Sequence, residues 1–209
     1  MNCFSHILYR MNSIPIIYEN DQIIIINKPL GLASQGGQGI TASVDVDLSN
    51  QINQKVHLVH RLDKETAGLM IVAKNPSAAA LWTNLIGTKE IVKEYCALCC
   101  GSLKSKTGTI SEPILQKGIE KNAITQYLVE KEGLFNNISF SLIKLRLDTG
   151  RMHQIRIHLA QQNAPIAGDD KYGNFKLNKE LKKELGVKRL HLAAVKLTLP
   201  SLGTFEVPL

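Results

Sequence analysis

The sequence predicts an α+β fold, with a large, mainly antiparallel mixed sheet flanked by helices and loops. Three observations predict it. Short apolar runs bounded by turn residues recur along most of the chain, as strands do. Few segments carry helix punctuation. No internal repeat, low-complexity tract or linker interrupts the 209 residues, a length that suits one large domain or at most two small ones, and one mixed domain is the natural reading.

QIIIIN (22–27) is a continuous apolar run closed by Lys28-Pro29-Leu30-Gly31, the pattern of a buried strand followed by a turn. Residues 32–54 are rich in Gly, Ser and Gln and read as a long loop with little structure of its own. GLMIVAK (68–74) is a second buried strand. A helix follows. Asn75 is a good N-cap and Pro76 a good first residue, Ala78, Leu81, Trp82 and Leu85 keep helical spacing, and Gly87 marks the stop. Further strands are expected at 91–100, 109–114, 124–131 and 139–148. From Met152 to Gln162 both periods fit, because polar and apolar residues alternate while Met152, Ile155 and Leu159 form a helical stripe. Lys176 to Leu185 reads as a charged surface helix stopped by Gly186. RLHLAAVKLTLP (189–200) is a last long strand, with GTFEV (203–207) as its hairpin partner.

Composition narrows the function classes. Hydrophobic residues make up 44%, enough for a sizeable core. The net charge of +7 favours an anionic partner such as nucleic acid. No apolar run approaches the roughly 18 residues that span a bilayer, and no secretory signal opens the chain. Cys96, Cys99 and Cys100 crowd into one strand-like segment and do not form a disulfide framework, which points to a cytoplasmic setting. Cys96 and Cys100 would share one strand face and Cys99 the other, so they read as small core residues, not as zinc ligands.

Two segments concentrate polar side chains beside apolar strands. The first, HLVHRLDKETAGLMIVAK (57–74), puts His60, Arg61, Asp63 and Lys64 at the mouth of a buried strand. The second, LDTGRMHQIRIHLAQQNAPIAGDDKYG (147–173), supplies Arg151, His153, Gln154, Arg156 and His158. An Asp among cations keeps its charge, and an ionised Asp in a cleft can act as nucleophile or general base. A salt-bridged surface turn is the competing reading of the same residues.

HRLDKETAGLMIVAK closely resembles the catalytic motif of RluA-type pseudouridine synthases, HRLDxxTSGLLLxAK. The similarity runs from about Ile14 onward through KEYCALCCG (93–101), TGRMHQIRIHLAQQNAPIAGDDKYG and KRLHLAAVKLTLP (188–200). Ala67 replaces the usual Ser, Asn163 stands where Gly is common, and Pro200-Ser201 lacks a frequent His. The resemblance implies a pseudouridine synthase-like catalytic domain over 14–209, a short extension over 1–13, and no N-terminal S4-type RNA-binding domain. It implies isomerisation of uridine in RNA, without metal or organic cofactor, by a cytoplasmic monomer that does not bind membranes. Ribosomal RNA of the large subunit is the favoured substrate, because LASQGGQG (32–39) is similar to a loop of that branch. Transfer RNA is the alternative substrate, and a non-catalytic ribosome-assembly protein of the same fold is the alternative function.

The resemblance also assigns roles. Asp63 would start cleavage of the N-glycosidic bond, by attacking the sugar or the base or by removing a sugar proton. Tyr95 would stack on the uracil and assist proton removal at C5. Arg156 would pair with the catalytic Asp. Arg61 would fill the space left by a flipped base, since a target inside a stack must leave it. His60, Lys64, Arg151, His153 and Gln154 complete the expected substrate-binding set. The histidines, His158 included, read as hydrogen-bonded groups around the site and not as metal ligands. Lys28, Lys64, Lys74, Arg151, Lys171 and Arg189 are candidate phosphate contacts.

Overall fold

A computed structural model describes residues 13–208. Cys3 and the first twelve residues of the expected 1–13 extension lie outside the described residues. The chain divides into two compact units. One holds the described residues up to Ile91 together with Leu199–Val207, and the other holds Val92–Thr198 and Pro208.

The first unit is built on β1 (Ile16–Glu19), β2 (Ile23–Lys28), β3 (His57–Leu58) and β4 (Ala67–Ala73). β2 pairs with β1 and β4, and β3 pairs with β4, all antiparallel. The apolar runs explain the centre of this sheet. Ile23 to Ile26 and Leu69 to Ala73 are buried along their whole length, so neither strand has a polar face. Two helices belong to this unit, α1 (Val44–Ile52) and α2 (Pro76–Gly87). α2 starts as its sequence predicts, with the Asn75 side chain accepting the Ala78 N–H at 2.8 Å. Thr88 follows as its C-cap, so Gly87 is the last helical residue.

α1 corrects the expectation of an unstructured loop over 32–54. Ser43 precedes it, and Asp45 and Asp47 lie in its first turn, where carboxylates favour the positive end of the helix dipole. Only Val44 and Leu48, one turn apart, bury themselves. So small a stripe in a Gly- and Ser-rich stretch leaves little periodicity to detect.

The second unit carries a five-stranded antiparallel sheet in the order β11-β5-β10-β9-β6. Its strands are β5 (Val92–Cys100), β6 (Thr107–Ile110), β9 (Thr125–Phe135), β10 (Ile138–Leu147) and β11 (Leu192–Leu199). β7 (Ile114–Gln116) and β8 (Ile119–Lys121) form a separate hairpin. The strand expected over 109–114 is therefore two elements, broken at Ser111-Glu112-Pro113, where proline cannot donate to a ladder. Helices α3 (Gln154–Gln161) and α4 (Phe175–Leu185) complete this unit, and β12 (Gly203–Glu206) belongs to the first. With helices and antiparallel sheet in both units, the class is α+β. Cys96, Cys99 and Cys100 are buried in β5, and burial pushes the thiols of Cys96 and Cys100 up to about 11, which keeps them protonated.

Candidate active-site loops

The loop with His60, Arg61, Asp63 and Lys64 runs from β3 to β4 in the first unit. Its backbone is held on both sides of Asp63. On the near side, the buried Ser34 hydroxyl donates to the Leu62 carbonyl at 2.6 Å and accepts the Leu62 N–H at 3.0 Å. On the far side, the Lys64 carbonyl accepts the Gly31 N–H at 3.0 Å and the Lys28 ammonium at 3.3 Å. The Thr66 N–H closes a turn onto the Asp63 carbonyl at 3.0 Å. His60 accepts the Ile71 N–H at Nε2, 3.0 Å away, so that nitrogen carries no proton.

Lys28 is corrected by this geometry. It is 0% exposed and cannot be a surface phosphate contact. Its ammonium donates to the carbonyls of Pro29, Leu32 and Lys64, knitting the turn after β2 to the Asp63 loop. Burial lowers its pKa to about 8, against the opposing pull of the Glu65 and Asp63 charges. At neutral pH Lys28 is therefore a buried cation in the field of Glu65 and Asp63. Lys74 is likewise committed, to Glu19 at 2.7 Å. Arg61 and Lys64 are exposed, and Arg61 makes a long contact of 3.4 Å to Gln35.

In the second unit the residues from Thr149 to Tyr172 gather around α3. The segment left open between strand and helix is this helix, and five of its eight residues are buried, among them Gln154, Arg156 and His158. The polar side chains that mimic strand alternation are inside, each satisfied. Gln154 accepts from the Thr149 hydroxyl at 2.7 Å and the Arg151 N–H at 3.0 Å, and donates to the Ile124 carbonyl and the Thr125 hydroxyl. Its amide is used in full by the protein. Gln154 thus holds the loop in place, which differs from the direct substrate contact expected of it. His158 donates from Nε2 to the Glu112 carbonyl at 3.0 Å, and its Nδ1 meets the Thr125 hydroxyl at 2.9 Å. Burial lowers the pKa of this ring and favours its neutral form, against the opposing pull of Glu112.

Arg156 lies between a carboxylate and an aromatic ring. Nε and Nη2 donate to Asp169 at 2.8 and 2.7 Å, and the guanidinium sits 5.2 Å from the centre of the Tyr172 ring. Burial alone would raise the Asp169 carboxyl. Hydrogen bonds from Arg156 and from the Tyr172 and Lys171 N–H groups outweigh it and hold the group below its ordinary range. The Tyr172 hydroxyl also meets His153 Nδ1 at 2.9 Å, and His153 adopts a left-handed backbone, φ 56°, at the head of α3. Arg151 is exposed, with Nε on the Asn122 carbonyl. Tyr95 is buried in β5, opposite Leu145 of β10 and Ala194 of β11.

Sequence reasoning missed Ser34, Asp169 and Tyr172. Asp169 and Tyr172 stand in the GDDKYG end of the second motif, and Ser34 in LASQGGQG, so the motifs contained them without revealing their partners.

Comparison with known proteins identifies the family. A family model described as RNA pseudouridylate synthase matches residues 22–161. Over 173 residues the chain is 40% identical to ribosomal large subunit pseudouridine synthase C of Rickettsia prowazekii, covering 76% of this chain and 56% of that one. It is 34% identical to the protein of the same name from Escherichia coli, over 92% of this chain and 64% of the other. The chain thus spans 56% to 64% of the length of these curated relatives. Among solved structures, human RNA pseudouridylate synthase domain containing 4 superposes with a TM-score of 0.79 at 27% identity, over 100% of this chain and 94% of that one.

Proposed function

We propose, because the chain belongs to the RNA pseudouridylate synthase family, that it isomerises uridine in RNA to pseudouridine, and that its substrate is ribosomal RNA of the large subunit. The curated relatives carry that substrate in their names. The observation that carries the catalytic reading is the backbone clamp around Asp63. Three side chains or backbone groups outside the loop, Ser34, Gly31 and Lys28, hold the two residues that flank Asp63. A reacting carboxylate must be held within about half an ångström of its productive position, and such a clamp serves that end.

In the reaction the bond from uracil N1 to the sugar C1′ breaks and a bond from C5 to C1′ forms. C5 loses its proton and N1 gains one, so the isomerisation is neutral in atoms and electrons. Asp63 starts the cleavage. Tyr95 assists removal of the C5 proton, and Arg156, fixed by Asp169, has a supporting role in the family's reaction. Arg61, exposed beside Asp63, stacks in the space of the flipped base. Lys64, Arg151, His60 and His153 hold the nucleotide, and Gln154 positions the loop that carries Arg151.

Large-subunit ribosomal RNA labelled with tritium at uridine C5 tests the proposal, because each turnover releases the label to water. The wild type should release it and Asp63→Asn should not, while both bind the RNA equally. Turnover by Asp63→Asn within tenfold of the wild type would remove Asp63 from the mechanism. Release from transfer RNA alone would reassign the substrate.

A further inference from the structure

Helix α4 has a face that the proposed reaction does not use. Leu181 is buried and Leu177 packs in the same apolar cluster, which fixes the inner side of the helix. Lys176, Lys179 and Lys183 follow at spacings of three and four residues and are exposed, so they form one row toward solvent. The acidic side chains Glu180 and Glu184 fall to one flank of the row, where Glu184 meets Lys183 at 3.1 Å. Phe175 heads the row. At 71% it is the most exposed of the large hydrophobics among the described residues. From Lys171 to Arg189 there are seven basic and two acidic residues, a surplus of five, where the whole chain has +7.

This combination fits one chemistry. A lysine row offers contacts to successive phosphates, and a phenyl ring open to solvent offers a stacking platform for a base. A solubilising face has use for the lysines but none for the ring. The helix is also tied to the second cluster. Asn178 donates to the Asp169 carbonyl at 2.7 Å and accepts the Gly168 N–H at 3.1 Å. Gly173 brings the chain so close to the Asp169 carbonyl that a Cβ would lie 2.3 Å from it. The start of α4 is thus held against the loop whose carboxylate engages Arg156.

We propose that Phe175, Lys176, Lys179 and Lys183 form a binding face for single-stranded RNA, taking a segment that flanks the target uridine. The assignment rests on the reading of RNA as substrate and names a second place where that RNA is held.

The test uses a short, labelled, uridine-free single-stranded oligoribonucleotide, which cannot be a substrate, and reads affinity by fluorescence anisotropy. Phe175→Ala should weaken binding about tenfold, the size of one lost base–aromatic stack, and Phe175→Trp should restore it. Combined Lys176→Glu, Lys179→Glu and Lys183→Glu should make the log–log salt slope shallower by about 2, at roughly 0.7 per phosphate contact. A control with Lys104→Glu, Lys121→Glu and Lys131→Glu changes the net charge equally and should stay within about threefold of the wild type. All these side chains are exposed, and unchanged thermal unfolding verifies the fold. The proposal is overturned if the wild type does not bind the oligonucleotide, if Phe175→Ala binds within twofold of it, or if the control loses as much as the helix variant. It is overturned too if the helix variant loses binding to phosphatidylserine vesicles and keeps its RNA affinity. A wild type that binds RNA through this face yet releases no tritium from ribosomal RNA sinks the catalytic reading alone. A wild type that releases tritium but binds the oligonucleotide independently of Phe175 sinks this inference alone.

Discussion

Asp169→Asn removes the charge from a carboxylate that receives four hydrogen bonds. Oδ2 accepts from Arg156 Nε at 2.8 Å, and Oδ1 accepts from Arg156 Nη2 at 2.7 Å and from the Lys171 and Tyr172 N–H groups at 2.9 and 3.0 Å. The two side chains are 5% and 0% exposed, so water cannot replace the lost partner. Breaking a buried pair from one side costs about 3–5 kcal/mol, most of it from the stranded charge. For a chain of this size each kcal/mol shifts Tm by about 2–4 °C, so a fall of roughly 6–20 °C is expected. Urea denaturation at pH 7 of Arg156→Met, Asp169→Asn and the double variant gives the coupling. With no guanidinium left to strand, the double variant should lose about 2 kcal/mol less than the two single losses added. The sign with pH follows from the depressed carboxyl. Its contribution is complete above the ordinary value of 3.8 and is lost as pH falls from there through the folded value, a decline that Asp169→Asn should not show. Single losses that add to within about 0.5 kcal/mol would refute the coupling.

Two further outcomes test the scaffold. Gly168→Ala should cost about 2–4 kcal/mol in thermal or urea unfolding, because its φ is +76° and a Cβ would lie 2.1 Å from the Arg189 carbonyl oxygen. Gly186→Ala shares the left-handed φ, +69°, but meets nothing within 4 Å, so it should cost only about 1 kcal/mol; equal losses would show that φ alone matters. Lys28 has a folded pKa near 8 against 10.5, so between those values the unfolded chain holds the proton that the folded chain has released. Stability should therefore rise with pH across that window, by roughly 3 kcal/mol at most, and Lys28→Met should flatten the rise; parallel curves for the two proteins would refute the assignment.

The sequence was legible where one physical term dominates. Ile23 to Ile26 and Leu69 to Ala73 are apolar without interruption, and burial on both faces leaves them no choice but the centre of a sheet. Asn75-Pro76 declares a helix start through its own backbone chemistry. Reading became ambiguous where buried residues are polar. Gln154, Arg156 and His158 lie inside, so α3 shows no clean apolar stripe, and its identity rests on partners far away in sequence such as Thr125 and Asp169. α1 was hidden for the opposite reason, having only Val44 and Leu48 to bury. Motifs nominated candidate site residues but not their duties, because Lys28 and Gln154 look like ligand contacts until their hydrogen bonds are counted.

The two clusters solve one positioning problem by different means. Asp63 projects from a loop, and a loop carries no periodic hydrogen bonding of its own to set a side chain. Here the backbone is set from outside, by a hydroxyl that both donates to and accepts from Leu62 and by an ammonium that draws three carbonyls together. Arg156 projects from a helix, whose backbone is already regular, so what needs fixing is the long side chain. Asp169 takes one edge of its guanidinium, and the Tyr172 ring lies 5.2 Å from it. A short carboxylate gains most from a rigid backbone and a long guanidinium gains most from a rigid partner, because the conformational freedom to be removed lies in the main chain for one and in the rotamers for the other. Ser34 and Lys28 therefore stand to Asp63 as Asp169 and Tyr172 stand to Arg156. If the proposed reaction is this chain's, losing either support should let the charged group drift, lowering turnover more than RNA affinity.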